Sequence, residues 1–158
     1  MSHSEEKYLT FELSDEFYGF PILKVNEIIG LIDIVSIPKA PVFMKGIVNL
    51  RGKVIPIIDL RLKFGMEERE YDDQTCIIIV EITFSGEKKF VGIIVDRVAE
   101  VVSILDSEIE PPPQYGQKVE QSFITGIGKV KDKVVVLLDV EKIINNEDVL
   151  KLAMEEDA

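Results

Sequence analysis

A chain of 158 residues has room for one domain of ordinary size, or for two very small ones that share a core, and leaves none for a separate catalytic domain. Apolar residues make up 46% and charged residues 30%, and no apolar run approaches the roughly 18 residues needed to cross a bilayer, so we expect a cytoplasmic globular protein. The formal net charge of -11 disfavours nucleic-acid binding, and the single cysteine, Cys76, excludes an internal disulfide and a thiolate zinc site.

Most apolar residues fall in short β-branched runs bounded by turn residues, a pattern that predicts strands and a mainly β fold. In chain order, the predicted strands cover residues 8–13, 17–23, 25–29, 46–50, 54–58, 75–84, 89–95, 98–104, 123–130 and 134–138. Glycine, aspartate or serine at 14–16, 51–53, 85–87 and 131–133 predicts tight hairpin turns. Helix is expected only in a short turn after Asp59, in another after Asp139, and in a tail over residues 146–155.

The two halves of the chain resemble each other. Residues 46–64 align without gaps on residues 126–144, and residues 19–29 align on residues 92–102, with glycine, valine and acidic positions coinciding in order. This repeat predicts two similar small β-barrels made by duplication. Units of that size bury little surface alone, so we expect them to share a hydrophobic seam.

Motifs for catalysis or cofactor binding are weak. The G-x5-G-K-V segment at 46–54 is one residue too long for a phosphate-binding loop, and Val54 replaces the hydroxyl that would hold magnesium. His3 is the only histidine and lies in a polar leader, and the acidic run at 67–73 lacks the ligand spacing of a calcium loop. We therefore expect no enzymatic activity, no cofactor and no metal.

Several single residues have simple structural interpretations. Asp59 and Asp139 each precede a predicted helical turn and are expected to act as N-caps. Gly52 is expected to supply a positive φ at a hairpin turn, and Pro56 predicts an edge position or a bulge. Arg51 has two interpretations: a solvated turn residue, or a planar five-donor group held out to bind a partner's carboxylate or carbonyl oxygens.

Two long segments resemble one known family. Residues 37–64, IPKAPVFMKGIVNLRGKVIPIIDLRLKF, closely resemble the corresponding stretch of the CheW family of chemotaxis adaptors, and residues 92–104, GIIVDRVAEVVSI, resemble its second signature. Similarity extends over about residues 8–152. The resemblance implies two SH3-like five-stranded β-barrels sharing a hydrophobic core, with short helices and a C-terminal helix.

The resemblance also implies a domain organisation. We expect one CheW-like domain over residues 7–146, made of barrels at approximately 7–68 and 74–146. A disordered leader is expected over residues 1–6, and a C-terminal helix or tail over residues 147–158.

The function implied by the resemblance is a non-enzymatic adaptor. Family members link the cytoplasmic tip of methyl-accepting chemoreceptors to the regulatory domain of a CheA-type histidine kinase, within membrane-associated arrays and without inserting into the membrane. Carried over position by position, the kinase-binding residues are Ile22, Val25, Glu27, Glu110 and Tyr115. The receptor-binding residues are Gly46, Arg51, Cys76, Ile77, Val98 and Val101, and the signalling turn consists of Asn49, Arg51 and Gly52. The alternative is a β-barrel that binds a small molecule.

Overall fold

The computed structural model describes residues 4–112 and 123–144, and in these ranges the chain is mainly β. The strands are β1 (Glu5–Leu13), β2 (Glu16–Pro21), β3 (Val25–Gly30), β4 (Met44–Leu50), β5 (Lys53–Asp59), β6 (Cys76–Phe84), β7 (Glu87–Val95), β8 (Arg97–Leu105), β9 (Ile109–Glu110), β10 (Ile124–Val130) and β11 (Lys133–Leu138). Two short α-helices follow strands, α1 (Leu60–Lys63) and α2 (Val140–Ile144), and two 3-10 turns cover Ile22–Lys24 and Asp106–Glu108.

The strands form two sheets, each curled into an SH3-like barrel. The central barrel has the strand order β3-β6-β7-β5-β4, and the terminal barrel has the order β8-β1-β2-β11-β10-β9. The two orders correspond strand for strand, apart from the two-residue β9. The predicted fold class is therefore confirmed, and the predicted repeat is visible in the topology.

The barrels do not coincide with the two halves of the chain. The hairpin β1–β2 joins strands from the second half, and the hairpin β6–β7 joins strands from the first. Both exchanges use parallel pairing, between β11 and β2 and between β5 and β7. The predicted boundaries of 7–68 and 74–146 thus differ from the observed grouping. The two hairpins carry similar patterns, so the local sequence does not say which copy each one joins.

The ends of the predicted elements also differ in places. β1 begins at Glu5, inside the predicted leader, because Glu5 and Glu6 pair with Leu105 and Ile104 of β8. The helical turns after Asp59 and Asp139 are present as α1 and α2. The tail predicted over residues 146–155 lies outside the described residues.

Four hairpin turns have the geometry that the sequence predicts. Arg51 and Gly52 both have positive φ, 50° and 87°, which suits a two-residue turn between twisted antiparallel strands. The same pairing of two positive φ angles recurs at Ser14–Asp15, Ser85–Gly86 and Lys131–Asp132. The expected role of Gly52 is confirmed.

Both predicted caps are confirmed. The Asp59 carboxylate accepts a hydrogen bond from the Leu62 backbone N–H at 3.3 Å, and Asp139 accepts one from the Lys142 N–H at 3.1 Å. Asp59 is buried and also accepts a hydrogen bond from the Tyr71 hydroxyl at 2.7 Å. Burial and the Asp59 carboxylate together raise the pKa of Tyr71.

Pro56 lies in an interior strand of the central barrel, beside a bulge in β4. β5 pairs with β7 only from Ile57 onward, so no ladder partner on that side requires an N–H from Pro56. Its partner across β4 is Ile47, which exchanges both of its backbone hydrogen bonds with Val35 instead. The proline therefore costs no hydrogen bond at this position.

Three hydrophobic clusters hold the molecule together. The largest lies between the barrels, draws on strands of both, and includes the fully buried Phe11 and Phe20, whose ring centroids are 4.7 Å apart. This cluster is the predicted shared seam. A second fills the central barrel, where a Cβ at Gly92 would lie 2.4 Å from the side chain of Ile57. A third, smaller cluster around Ile104 and Leu137 fills the terminal barrel.

Candidate partner-binding sites

The predicted signalling turn closes the hairpin between β4 and β5. The Asn49 side-chain oxygen accepts a hydrogen bond from the Gly52 N–H at 2.9 Å, which fixes the turn. The Arg51 side chain remains 68% exposed and forms an ion pair with Glu27 of β3. The structure thus places Arg51 beside a residue that the sequence assigned to kinase binding.

This ion pair lies at the rim of the central barrel, and we call the surrounding depression the central mouth. It has a volume of about 310 Å³. The side chains that line it are Asn26, Glu27, Leu50, Arg51, Lys53, Ile55, Ile79 and Phe90. Its rim is charged and its floor is apolar, which suits a protein partner that offers both polar and apolar groups. The guanidinium of Arg51 has five donors, so it can bond Glu27 and a partner together.

The terminal barrel has a matching mouth of about 220 Å³. Lys131 approaches Glu100 at 3.9 Å there, in the positions that correspond to Arg51 and Glu27. Lys133 lies over the ring of Phe17 at 4.3 Å, as Lys53 lies over the ring of Phe90 in the central mouth. Glu27 and Glu100 thus each have a basic partner, in corresponding positions of the two barrels. The two mouths differ at the residue paired with the glutamate, which is the planar Arg51 in the central mouth and Lys131 in the terminal mouth.

The other residues of the first half that are predicted to bind the kinase lie where the chain passes from one barrel to the other. Ile22 and Val25 are half-buried and pack against the shared seam. Leu23, between them, is 91% exposed. Leu23 was not predicted as a surface residue because the predicted strand covers residues 17–23, whereas β2 ends at Pro21 and a 3-10 turn follows.

Apart from Arg51 at the central mouth, the predicted receptor-binding residues fall into two groups. Gly46 is buried in β4, and a Cβ there would lie 2.0 Å from the Val35 carbonyl oxygen, so this site requires glycine. Ile77 is completely buried inside the central barrel and has no surface for a partner to contact. Both residues therefore lie below the surface that a partner would contact.

The second group contains two residues at the boundary between the barrels and one exposed residue farther along β8. Cys76 of β6 and Val98 of β8 are both half-buried and pack against the shared seam from different barrels. Val101, farther along β8, is 51% exposed. These three residues define what we call the inter-barrel groove.

Two residues of the second half are also predicted to bind the kinase. Glu110 is exposed on β9 and pairs with Ile127 at the edge of the terminal barrel. Tyr115 lies outside the described residues.

The described residues offer no group of three or more histidine, cysteine, aspartate or glutamate side chains that could hold a metal ion. Within residues 4–112 and 123–144, no helix is long and apolar enough to cross a membrane.

Burial lowers the pKa of Lys63, which packs between the rings of Phe43 and Phe123.

Comparison with known proteins identifies close relatives. A family model described as the CheW-like domain matches residues 7–148. The chemotaxis protein CheW of Klebsiella aerogenes is 37% identical over 143 residues, covering 90% of this chain and 84% of that protein. The chemotaxis protein CheW of Treponema pallidum is 31% identical over 155 residues, covering 97% of this chain and 91% of that protein. The crystal structure of the scaffolding protein TtCheW from Thermoanaerobacter tengcongensis has a TM-score of 0.79 and 39% identity, covering 90% of this chain and 94% of that chain.

Proposed function

The chain belongs to the CheW family, and from that membership we propose that it couples methyl-accepting chemoreceptors to the regulatory domain of a CheA-type histidine kinase. It is a scaffold protein of chemotaxis and is not an enzyme. The observation that carries the proposal is the family match over residues 7–148, because that single match includes both barrels and the seam between them.

The kinase regulatory domain binds the central mouth and the adjacent barrel crossing. Ile22, Val25 and Glu27 line this face, and the exposed Leu23 supplies an apolar side chain that a partner can bury. The ion pair with Glu27 places Arg51 on the same face. Glu110, at the edge of the terminal barrel, belongs to a second kinase contact, to which the family resemblance also assigns Tyr115.

The receptor tip binds the inter-barrel groove as a helix. Cys76 and Val98 form the apolar base of the groove, and the exposed Val101 contacts the helix directly. Gly46 and Ile77 act from below the surface, by keeping β4 and β6 in place. An amphipathic helix that lays its apolar face into such a groove is a common recognition mode.

Two separate sites on one rigid body explain how a protein without catalytic activity affects a kinase. Tethering raises the effective concentration of the two partners to around the millimolar range. Contacts of micromolar strength, about 8 kcal/mol each, are then sufficient. Residues 7–146 act as one domain in this proposal, located in the cytoplasm and held at the membrane only through the receptors.

The test is a pulldown with a chemoreceptor tip fragment and the isolated kinase regulatory domain, each alone and both together. We expect Leu23→Glu to abolish retention of the kinase domain alone, and Val101→Glu to abolish retention of the receptor fragment alone. Val134→Glu is the matched control, since Val134 is 55% exposed and lies on neither proposed site. If the unmodified protein retains neither partner, the proposal is wrong.

A further inference from the structure

Asp96 is the single residue that separates the two barrels at the second crossing of the chain. Val95, before it, ends β7 and pairs with Cys76 in the central barrel. Arg97, after it, begins β8 and pairs with Glu12 in the terminal barrel. The contacts that hold Asp96 in place therefore determine the angle between β7 and β8.

The Asp96 carboxylate is 9% exposed and receives three donors on one oxygen, Oδ2. The Ser14 backbone N–H donates from the β1–β2 turn of the terminal barrel at 2.9 Å. Arg61 donates from α1, at the end of the central barrel, at 2.7 Å, and Arg69 donates from the segment between the halves at 3.0 Å. We call these four residues the Asp96 junction.

Further contacts strengthen the Asp96 junction. Arg61 also donates to the Ser14 hydroxyl at 2.9 Å and to the Glu67 carbonyl at 3.1 Å. The backbone N–H of Asp96 donates to the Glu12 carbonyl at 3.2 Å. The Arg61 side chain is only 13% exposed, so solvent screens its attraction to Asp96 weakly. The junction thus joins elements of both barrels through one carboxylate.

The first crossing, from β2 to β3, is held differently. Lys24 and Glu141 of α2 form an ion pair there at 2.6 Å, with side chains that are 41% and 44% exposed. Exposed pairs of this kind contribute little, because water and salt screen them. Among the described residues, the second crossing is therefore held by buried polar contacts, and the first crossing by an exposed ion pair.

We propose that Asp96 is a positioning residue that fixes the angle between the barrels and so keeps the inter-barrel groove at the spacing its helical partner needs. Cys76 and Val98 form the base of this groove, one from each barrel. Val98 follows Asp96 by two residues, and Cys76 pairs with Val95, which directly precedes Asp96. The identity of the partner rests on the proposed function, whereas the control of the angle does not.

The test combines a distance measurement with binding. Spin labels at Thr83→Cys and Val134→Cys, in a Cys76→Ser background, report the separation of the barrels by double electron–electron resonance. We expect Asp96→Asn to broaden this distance distribution. In the chain with native Cys76, we expect Asp96→Asn to weaken receptor-tip binding on the order of tenfold and to leave binding of the kinase domain unchanged.

Two further variants keep the test decisive. Arg69→Gln removes one of the three donors to Asp96. Because the Arg69 side chain is 47% exposed, this variant should keep the fold even if Asp96→Asn does not. It should change the distance distribution and the receptor affinity in the same direction as Asp96→Asn, but by less. Glu141→Gln is the control, because it removes the exposed ion pair with Lys24 and should change neither the distances nor receptor binding.

An unchanged distance distribution and unchanged receptor affinity in Asp96→Asn and Arg69→Gln, with only a lower melting temperature, would show that the junction is purely structural. The distances test the junction even if the unmodified protein binds no receptor tip. That result would overturn the proposed function alone.

Discussion

Replacing Arg51 by alanine tests whether the ion pair at the central mouth serves binding or folding. Arg51 is 68% exposed and Glu27 is 29% exposed at the side chain, so the pair should contribute about 0.2 to 1 kcal/mol to stability. For a protein of this size, 1 kcal/mol corresponds to a shift of roughly 2 to 4 °C in melting temperature. We therefore expect Arg51→Ala to lower the melting temperature by less than about 4 °C.

Binding should respond more strongly. If the guanidinium donates charged hydrogen bonds to the kinase regulatory domain, its removal should cost about 1.5 to 3 kcal/mol, or roughly tenfold to a hundredfold in Kd. Titration calorimetry with the isolated regulatory domain measures this change. A double-mutant cycle with Glu27→Gln then separates the direct contact of Arg51 from its effect on Glu27.

The terminal barrel supplies a matched control. Lys131 forms the corresponding pair with Glu100 at the other mouth, so Lys131→Ala removes a similar charge from a similar turn. It should leave affinity for the kinase domain unchanged. A fall of more than about 8 °C in Arg51→Ala would show that Arg51 is structural. Unchanged kinase affinity together with weaker receptor binding would assign Arg51 to the receptor site alone, as the family resemblance implies.

Other changes give equally direct tests. Gly46→Ala should destabilise the protein by at least about 2 kcal/mol in urea denaturation, because the new Cβ meets the Val35 carbonyl. Gly30→Ala is the control, since no atom lies within 4 Å of its new Cβ, and it should change the free energy of unfolding by less than about 1 kcal/mol. Equal effects of the two substitutions would contradict the steric role of Gly46. Asp59→Ala should lower the free energy of unfolding by about 2 to 4 kcal/mol, since it removes a cap and leaves the half-buried Tyr71 hydroxyl without its partner. Asp139→Ala removes only a cap and should cost about 1 kcal/mol. Comparable losses of stability in thermal melts of the two variants would argue against the added role of Tyr71. Burial and Glu6 raise the pKa of Tyr8 from 10.0 to about 12, so its contribution to stability is complete below pH 10 and is lost as pH rises through about 12. Tyr8→Phe should flatten the decline in melting temperature over that window, and an unchanged slope would refute the assignment.

The local features of this protein could be read from the sequence because they depend on neighbouring residues. A two-residue turn at Arg51 and Gly52 needs residues that accept positive φ, and a helical turn after Asp59 needs a cap, so both follow from positions close in the chain. Alternating and β-branched runs predicted ten of the eleven strands found in the described residues, and β9 was missed because two residues carry no pattern. The internal repeat predicted two barrels, and the family resemblance added their SH3-like fold and the scaffold function.

The tertiary structure alone decided which copies of the repeat pair with each other. The hairpins β1–β2 and β6–β7 have similar patterns, so each is compatible with either barrel, and only long-range packing selects the exchanged arrangement. The same packing brings Glu27 to Arg51 and brings Arg61 and Arg69 to Asp96. The sequence pattern around a charged side chain at the surface or at a crossing does not indicate which residue it pairs with. The sequence therefore determined the strands, turns and caps, while the pairing of charges that shapes both proposed binding sites depended on the fold.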